Sequence, residues 1–101
     1  MEPVQIRGDG TATVVLLDSA LEVSRVRELC ERLNQALTSG VPVILDGGHI
    51  ARIDTAVIQV LTVFCRTASG RGIPVRWSSV SQPLRQAAET LGLGEILQVQ
   101  A

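Results

Sequence analysis

Residues 41–56 read VPVILDGGHIARIDTA, and this stretch decides the fold. It opens with a continuous apolar run over residues 41–45, which is typical of a strand buried on both faces of a sheet. Asp46 closes the strand, and residues 47–52 form a loop that begins with two glycines. Apolar residues at helical spacing follow over about residues 55–68. The stretch therefore predicts a strand, a loop and a helix in that order.

Strands and helices continue to alternate on both sides of this stretch. Residues 11–17 are rich in β-branched side chains and follow a glycine turn, which predicts a strand with residues 4–7 as its hairpin partner. Apolar residues at steps of three and four predict an amphipathic helix from Val23 onward. Residues 73–77 predict a further buried strand, and a third helix follows Ser81, which we expect to cap its first turn.

The predicted order of elements is β-β-α-β-α-β-α. Strands that are joined through helices are normally parallel, with right-handed crossovers. We therefore expect an α/β fold with a small mixed, mostly parallel sheet and covering helices. At 101 residues, the chain is long enough for one domain over residues 1–101 and leaves no room for a second. We expect the last apolar residues to pack back on the core; they are Leu93, Ile96, Leu97 and Val99.

The composition excludes several classes of function. A net charge of -1, one Trp, one Phe and no Tyr argue against binding to nucleic acid. No apolar run approaches the roughly 20 residues of a membrane-spanning helix, and the N-terminus does not resemble a signal peptide. We therefore expect a cytoplasmic protein without membrane insertion. Cys30 and Cys65 fall in predicted helices without partners at metal-ligand spacing, so we interpret them as small buried hydrophobic residues and predict no metal or cofactor.

The second predicted helix combines polar and apolar positions on one face. Additional apolar residues widen its apolar side, so we expect Ile58 to be partly exposed between Thr55 and Thr62. Either the helix is wedged between the sheet and a neighbouring helix, or its exposed face docks a partner. Polar residues recur on that face at steps of four, three and four: Thr55, Gln59, Thr62 and Arg66.

Asp54 is predicted to be the N-cap of this helix and to accept hydrogen bonds from backbone amides of the first turn. Thr55 then occupies the first helical position with an exposed hydroxyl. A phosphate there would meet the positive end of the helix dipole and would add about two negative charges to a nearly neutral face. Thr55 is therefore a candidate phosphoacceptor, and the alternative is a structural threonine.

His49 raises the possibility of an enzyme because it is the only histidine. Asp46 and Asp54 lie close to it in the sequence and could orient its imidazole as a base. We interpret His49 instead as a polar loop residue that bonds locally, and we predict no catalytic residue. A third possibility is a small-ligand or nucleotide sensor, which would need a pocket at the carboxyl ends of the parallel strands.

Residues 43–46, residues 52–56 and residues 74–77 together resemble the STAS domain, which sulfate transporters and anti-sigma factor antagonists share. The similarity covers nearly the whole chain. It implies a module without catalysis that binds a nucleotide-binding protein through the start of the second helix and the loop before it. Such a partner is an anti-sigma factor kinase, a signalling protein or a transporter ATPase. The predicted partner-binding residues are His49, Arg52, Asp54, Thr55, Ala56, Ile58, Gln59 and Thr62.

The residues at the helix start allow two readings of this resemblance. The phosphorylatable antagonists of the family carry Asp-Ser-Ser-Gly, in which the second serine is the acceptor. Asp54 matches the aspartate and Thr55 the first serine, whereas Ala56 occupies the acceptor position. The Asp-Thr pair resembles the small STAS subunit of the Mla phospholipid-transport ABC complex, where this threonine lies in the contact with the ATPase. Our leading prediction is a regulatory module of the antagonist type, and an Mla-type subunit is the alternative.

Overall fold

The computed structural model of the protein describes residues 4–8 and 11–97, with side chains described from residue 11 onward. In chain order the elements are β1 (Val4–Gly8), β2 (Thr13–Leu17), β3 (Ala20–Leu21), a 3₁₀ turn (Val23–Arg25), α1 (Val26–Thr38), β4 (Val43–Gly47), β5 (Arg52–Ile53), α2 (Thr55–Gly70), β6 (Val75–Val80), α3 (Gln82–Thr90) and α4 (Gly94–Leu97).

The main sheet has four strands in the order β1-β2-β4-β6. β1 and β2 form an antiparallel hairpin, whereas β2 with β4 and β4 with β6 pair in parallel. The predicted mixed, mostly parallel sheet with covering helices is therefore confirmed. A short second sheet, which the sequence did not predict, pairs β3 with β5 in parallel.

One face of the main sheet carries the core. In β2 and β4 alternate residues are buried, including Val15, Val43 and Leu45, and the residues between them are only partly buried. The expectation that the run over residues 41–45 is buried on both faces is thus wrong. β6 lies at the edge of the sheet and also has no fully buried residue. The helices supply the rest of a single apolar cluster through residues such as Leu29, Leu33, Ile58, Leu61, Leu84 and Leu97.

The first helix begins later than predicted. Val23 lies in the 3₁₀ turn and is 59% exposed, and the α-helix starts at Val26. The predicted cap of the third helix is confirmed, since Ser81 Oγ accepts the backbone N–H of Leu84 at 3.2 Å.

The tail packs back on the core as far as the structure describes it. Leu97 is fully buried, and its carbonyl accepts the indole N–H of Trp77 at 2.7 Å. Val99 lies outside the described residues.

Cys30 is partly buried and Cys65 is buried, and both thiols are free. Burial raises the pKa of the Cys65 thiol from 9.0 to about 11, because the thiolate would lose its hydration in the core. Across residues 4–8 and 11–97, the structure has no helix long and apolar enough to cross a membrane.

Candidate functional site

The loop that follows β4 is fixed by two close contacts with β6 and α3. A Cβ atom at Gly47 would lie 2.8 Å from Trp77 Cζ3 and 2.9 Å from Leu84 Cδ2, so only glycine fits there. A Cβ atom at Gly48 would collide with the hydroxyl of Ser79. Glycine at these two positions therefore lets the end of β4 pass close to β6 and α3.

The second half of the loop is held by the short sheet. The carbonyl of Ser19 accepts the backbone N–H groups of Ala51 and Arg52 at 2.7 and 3.0 Å. Ile50 is buried and anchors the loop, whereas the side chains of His49 and Arg52 on either side of it are exposed. The loop thus presents these two predicted contact residues to solvent from a hydrogen-bonded backbone.

Asp54 occupies the N-cap position of α2, but its carboxylate does not cap that helix. Its carbonyl accepts the N–H groups of Val57 and Ile58 in the first turn, at 3.0 and 3.2 Å. The carboxylate Oδ2 instead accepts the backbone N–H of Val23 at 2.7 Å. The predicted side-chain cap is therefore wrong. The pairing of β3 with β5 brings the 3₁₀ turn beside Asp54, and the first N–H of that turn donates its hydrogen bond to the carboxylate.

The polar face predicted for α2 is only partly correct. Thr55 and Gln59 are exposed and Ala56 is partly buried, but Thr62 is only 6% exposed and Ile58 is fully buried. The hydroxyl of Thr62 donates to the carbonyl of Ile58 at 2.9 Å, which satisfies it inside the structure. The expectation that Ile58 is partly exposed is thus wrong, because α1, α3 and α4 all pack against α2.

A groove of about 530 Å³ opens between the start of α2 and α3. Arg52 and Thr55 line it on one side, and Gln86 and Leu91 line it on the other. The sequence did not predict the contribution of α3, because which helix lies beside the start of α2 depends on the order of strands in the sheet. The fold therefore brings Arg52 and Thr55 together in one groove. Gln59 lies one turn further along α2, and Ile58 lies inside the groove wall.

The two carboxylates that lie close to His49 in the sequence, those of Asp46 and Asp54, accept hydrogen bonds from backbone amides. Asp46 Oδ1 accepts the N–H of Gly48 at 3.1 Å, and the carboxylate of Asp54 accepts the N–H of Val23. Neither of these hydrogen bonds involves the His49 imidazole, so neither orients it as a base. Within the part of the chain that the structure describes, no three His, Cys, Asp or Glu residues could hold a metal ion.

Two solved structures of one protein share this fold over most of the chain. The anti-sigma factor antagonist SpoIIAA in its unphosphorylated form matches with a TM-score of 0.73 and 16% identity, covering 91% of this chain and 83% of that one. The Bacillus cell fate determinant SpoIIAA in the phosphorylated form matches with a TM-score of 0.69 and 16% identity, covering 91% and 86%. These TM-scores establish a common fold, and at 16% identity they establish the fold alone.

A third solved structure, that of Mglu, is similar with a TM-score of 0.69 and 17% identity. The match covers 79% of this chain but only 20% of the length of the Mglu chain. Among curated proteins, no sequence matches the chain significantly.

A family model described as "Mlab, STAS domain" matches residues 4–98. That range includes the whole sheet, the loop after β4 and all four helices. The chain therefore belongs to the STAS domain family.

Proposed function

We propose that the chain is a regulatory module without catalysis that binds a nucleotide-binding protein, as an anti-sigma factor antagonist does. The observation that carries the proposal is the exposure of four predicted contact residues in the loop and the first turns of α2, which we call the partner face: His49, Arg52, Thr55 and Gln59. The resemblance to STAS proteins implies partner contacts in this loop and helix start, which supports the proposal. Family membership and the fold shared with SpoIIAA support the same function.

The partner face has the chemistry of a protein interface. It offers a guanidinium, a hydroxyl and an amide for hydrogen bonds, and Leu91 adds apolar surface in the adjoining groove. The buried residues beneath it have a different part in the proposal. Ile58 and Thr62 hold α2 in place and do not reach a partner, because they are inside the fold.

Control by phosphorylation is part of the proposal. Thr55 is exposed at the first position of α2, so a kinase can reach its hydroxyl. A phosphate on Thr55 would place about two negative charges in the centre of the partner face and would repel an acidic partner. Ala56, at the usual acceptor position of the family, has no hydroxyl and is partly buried.

A second candidate function follows from the description of the matching family model, which names Mlab. In this alternative the chain is the STAS subunit of an Mla-type phospholipid-transport complex, and the partner face binds the transporter ATPase. Both candidates use the same residues, so the identity of the partner distinguishes them.

The experiment is a binding measurement with a defined set of purified proteins. The set contains every anti-sigma factor kinase and every lipid-transporter ATPase subunit encoded in the genome that carries this chain. Wild type, Arg52→Glu and Arg71→Glu are titrated with each protein by calorimetry. Both variants reverse one exposed arginine, but Arg71 follows the last residue of α2, about 24 Å from its start.

We expect one protein of the set to bind wild type and Arg71→Glu equally, and to bind Arg52→Glu about tenfold more weakly or worse. A kinase as that partner supports the antagonist function, and an ATPase supports the alternative. If no protein of the set binds, or if Arg52→Glu binds like wild type, the proposed function is overturned.

A further inference from the structure

We propose that two copies of this chain form a weak symmetric dimer through the face of the main sheet that is turned away from the helices, which we call the open face. The occupant of the open face is thus a second copy of the same chain. The inference goes beyond the proposed function and does not rest on it, because the groove beside the partner face lies between α2 and α3, on the other side of the sheet.

The helices in the described part of the chain all pack on the opposite face of the sheet. Parallel strands form two of the three pairs in that sheet, and parallel sheets are normally covered on both faces. Here the covering layer is on one side. Each α-helix contributes a side chain to the apolar core that also contains the inward residues of β2 and β4, and these helix residues are Leu29, Leu61, Leu84 and Leu97.

Apolar side chains occupy the middle of the open face. Val14, Leu16 and Ile44 alternate with the core residues of β2 and β4, and none of them packs against the core. Val14 and Ile44 are direct partners in the register of the two strands, so they shield each other laterally and are partly buried without a covering layer. A sheet face that stays in water usually carries polar residues at such positions. The pattern therefore favours a face that becomes covered.

One charge of each sign borders this apolar patch. Arg76 of β6 is the register partner of Ile44, and Asp46 follows Ile44 by two residues in β4, so both charged residues lie on the open face. Arg76 is exposed, and across residues 11–97 its guanidinium has no hydrogen bond or salt bridge. Oδ1 of Asp46 accepts the N–H of Gly48, which leaves Oδ2 as a further acceptor. The two charges are therefore not paired with each other within one chain.

This pair of charges makes the open face complementary to itself. In a two-fold symmetric interface, a contact of Arg76 in one copy with Asp46 in the other is repeated with the copies exchanged. A two-fold axis that runs between the two side chains, in the plane between two stacked sheets, produces both contacts. Ile44 is next to both charged residues, so the same axis brings the Ile44 side chains of the two copies together. This self-complementarity identifies a second copy as the occupant.

The size of the open face indicates the strength of the dimer. Four strands of about five residues span about 19 Å across the sheet and about 17 Å along it, or roughly 300 Å² per copy in projection. Each partner in a stable complex buries roughly 800 Å². We therefore expect a dissociation constant of about 10 to 100 μM.

The experiment is sedimentation equilibrium over a range of chain concentrations up to about 1 mM, well above that dissociation constant. Wild type is compared with Arg76→Glu, Asp46→Lys and the control Arg27→Glu, all checked by circular dichroism. Arg27 is an exposed arginine on α1, on the helix side of the sheet. We expect wild type and Arg27→Glu to dimerise equally, and each of the other two variants to dimerise at least about tenfold more weakly, because like charges then meet.

An equimolar mixture of Arg76→Glu and Asp46→Lys tests the pairing itself. Both contacts in a mixed dimer join opposite charges, so we expect the mixture to dimerise with about the wild-type affinity. A wild type that stays monomeric at about 1 mM, or an Arg76→Glu variant that dimerises like wild type, would overturn the inference. So would a mixture of two folded variants that stays monomeric. If Asp46→Lys does not fold, Arg76→Glu decides alone, because its site is exposed on an edge strand.

Discussion

At the scale of single residues, two adjacent residues at the start of α2 have different roles. The carbonyl of Asp54 accepts hydrogen bonds from the first turn of α2, and its carboxylate accepts one from the turn before α1. Thr55 is left as the exposed residue at the positive end of the helix, where added negative charge is stabilised. A phosphate on Thr55 would therefore change the surface without unfolding the helix.

The prediction at this scale concerns Thr55 itself. Incubation with the anti-sigma factor kinase that binds the chain, together with ATP, should add one phosphate, visible in the intact mass. Thr55→Ala should take up none, whereas Thr90→Ala, which changes another exposed threonine beside the groove, should be phosphorylated like wild type. A phosphate that persists in Thr55→Ala would contradict the assignment.

At the scale of elements, α2 shows why a helical pattern read from the sequence can mislead. Its apolar residues cover more than one stripe, since α1, α3 and α4 all pack against it. Ile58 is buried in this packing, whereas Val63 is exposed. The polar step pattern predicted Thr55 and Gln59 correctly and failed at Thr62, whose hydroxyl bonds to its own helix.

This arrangement predicts opposite outcomes for two adjacent residues of α2. Ile58→Ala should lower the free energy of unfolding by about 3 kcal/mol, because it leaves a cavity at a fully buried site. Gln59→Ala should change it by less than about 0.5 kcal/mol, because the side chain is exposed. Urea unfolding followed by circular dichroism measures both. Equal stability of the two variants would contradict the burial of Ile58.

The longer strands and helices were predictable, because each has a local signal. The apolar run at residues 43–45 and the Ser81 cap mark their elements without reference to the rest of the chain. The contacts between elements were not predictable in the same way. The bond from the Val23 amide to Asp54 depends on a two-residue sheet, and two residues carry no periodicity.

At the scale of the whole molecule, the composition limits how many groups can change the free energy of unfolding at alkaline pH. The nine basic residues are all arginines, and the chain has no tyrosine, so few groups titrate between pH 9 and pH 11. Cys65 is one of them, because burial raises the pKa of its thiol from 9.0 to about 11. The unfolded chain then releases a proton at lower pH than the folded chain does.

The corresponding prediction is a loss of stability over that range. The contribution of the protonated Cys65 is present in full below pH 9 and is lost as the pH rises to about 11, by roughly 2 kcal/mol. Urea unfolding at pH 8, 9, 10 and 11 measures it. Cys65→Ala should lower the free energy of unfolding at pH 8 but reduce its decline between pH 9 and pH 11. Cys30→Ala should show the same decline as wild type. An equal decline in wild type and Cys65→Ala would contradict the role of Cys65.

The whole molecule is a STAS domain whose exposed loop and helix start face one groove, and the central claim is that this face binds a protein. The most direct test is the affinity of the identified kinase or ATPase for Arg52→Glu relative to Arg71→Glu, measured by calorimetry on variants with wild-type circular dichroism. We predict that Arg52→Glu binds about tenfold more weakly or worse, and that Arg71→Glu binds like wild type. Equal affinities for the two variants would contradict the claim.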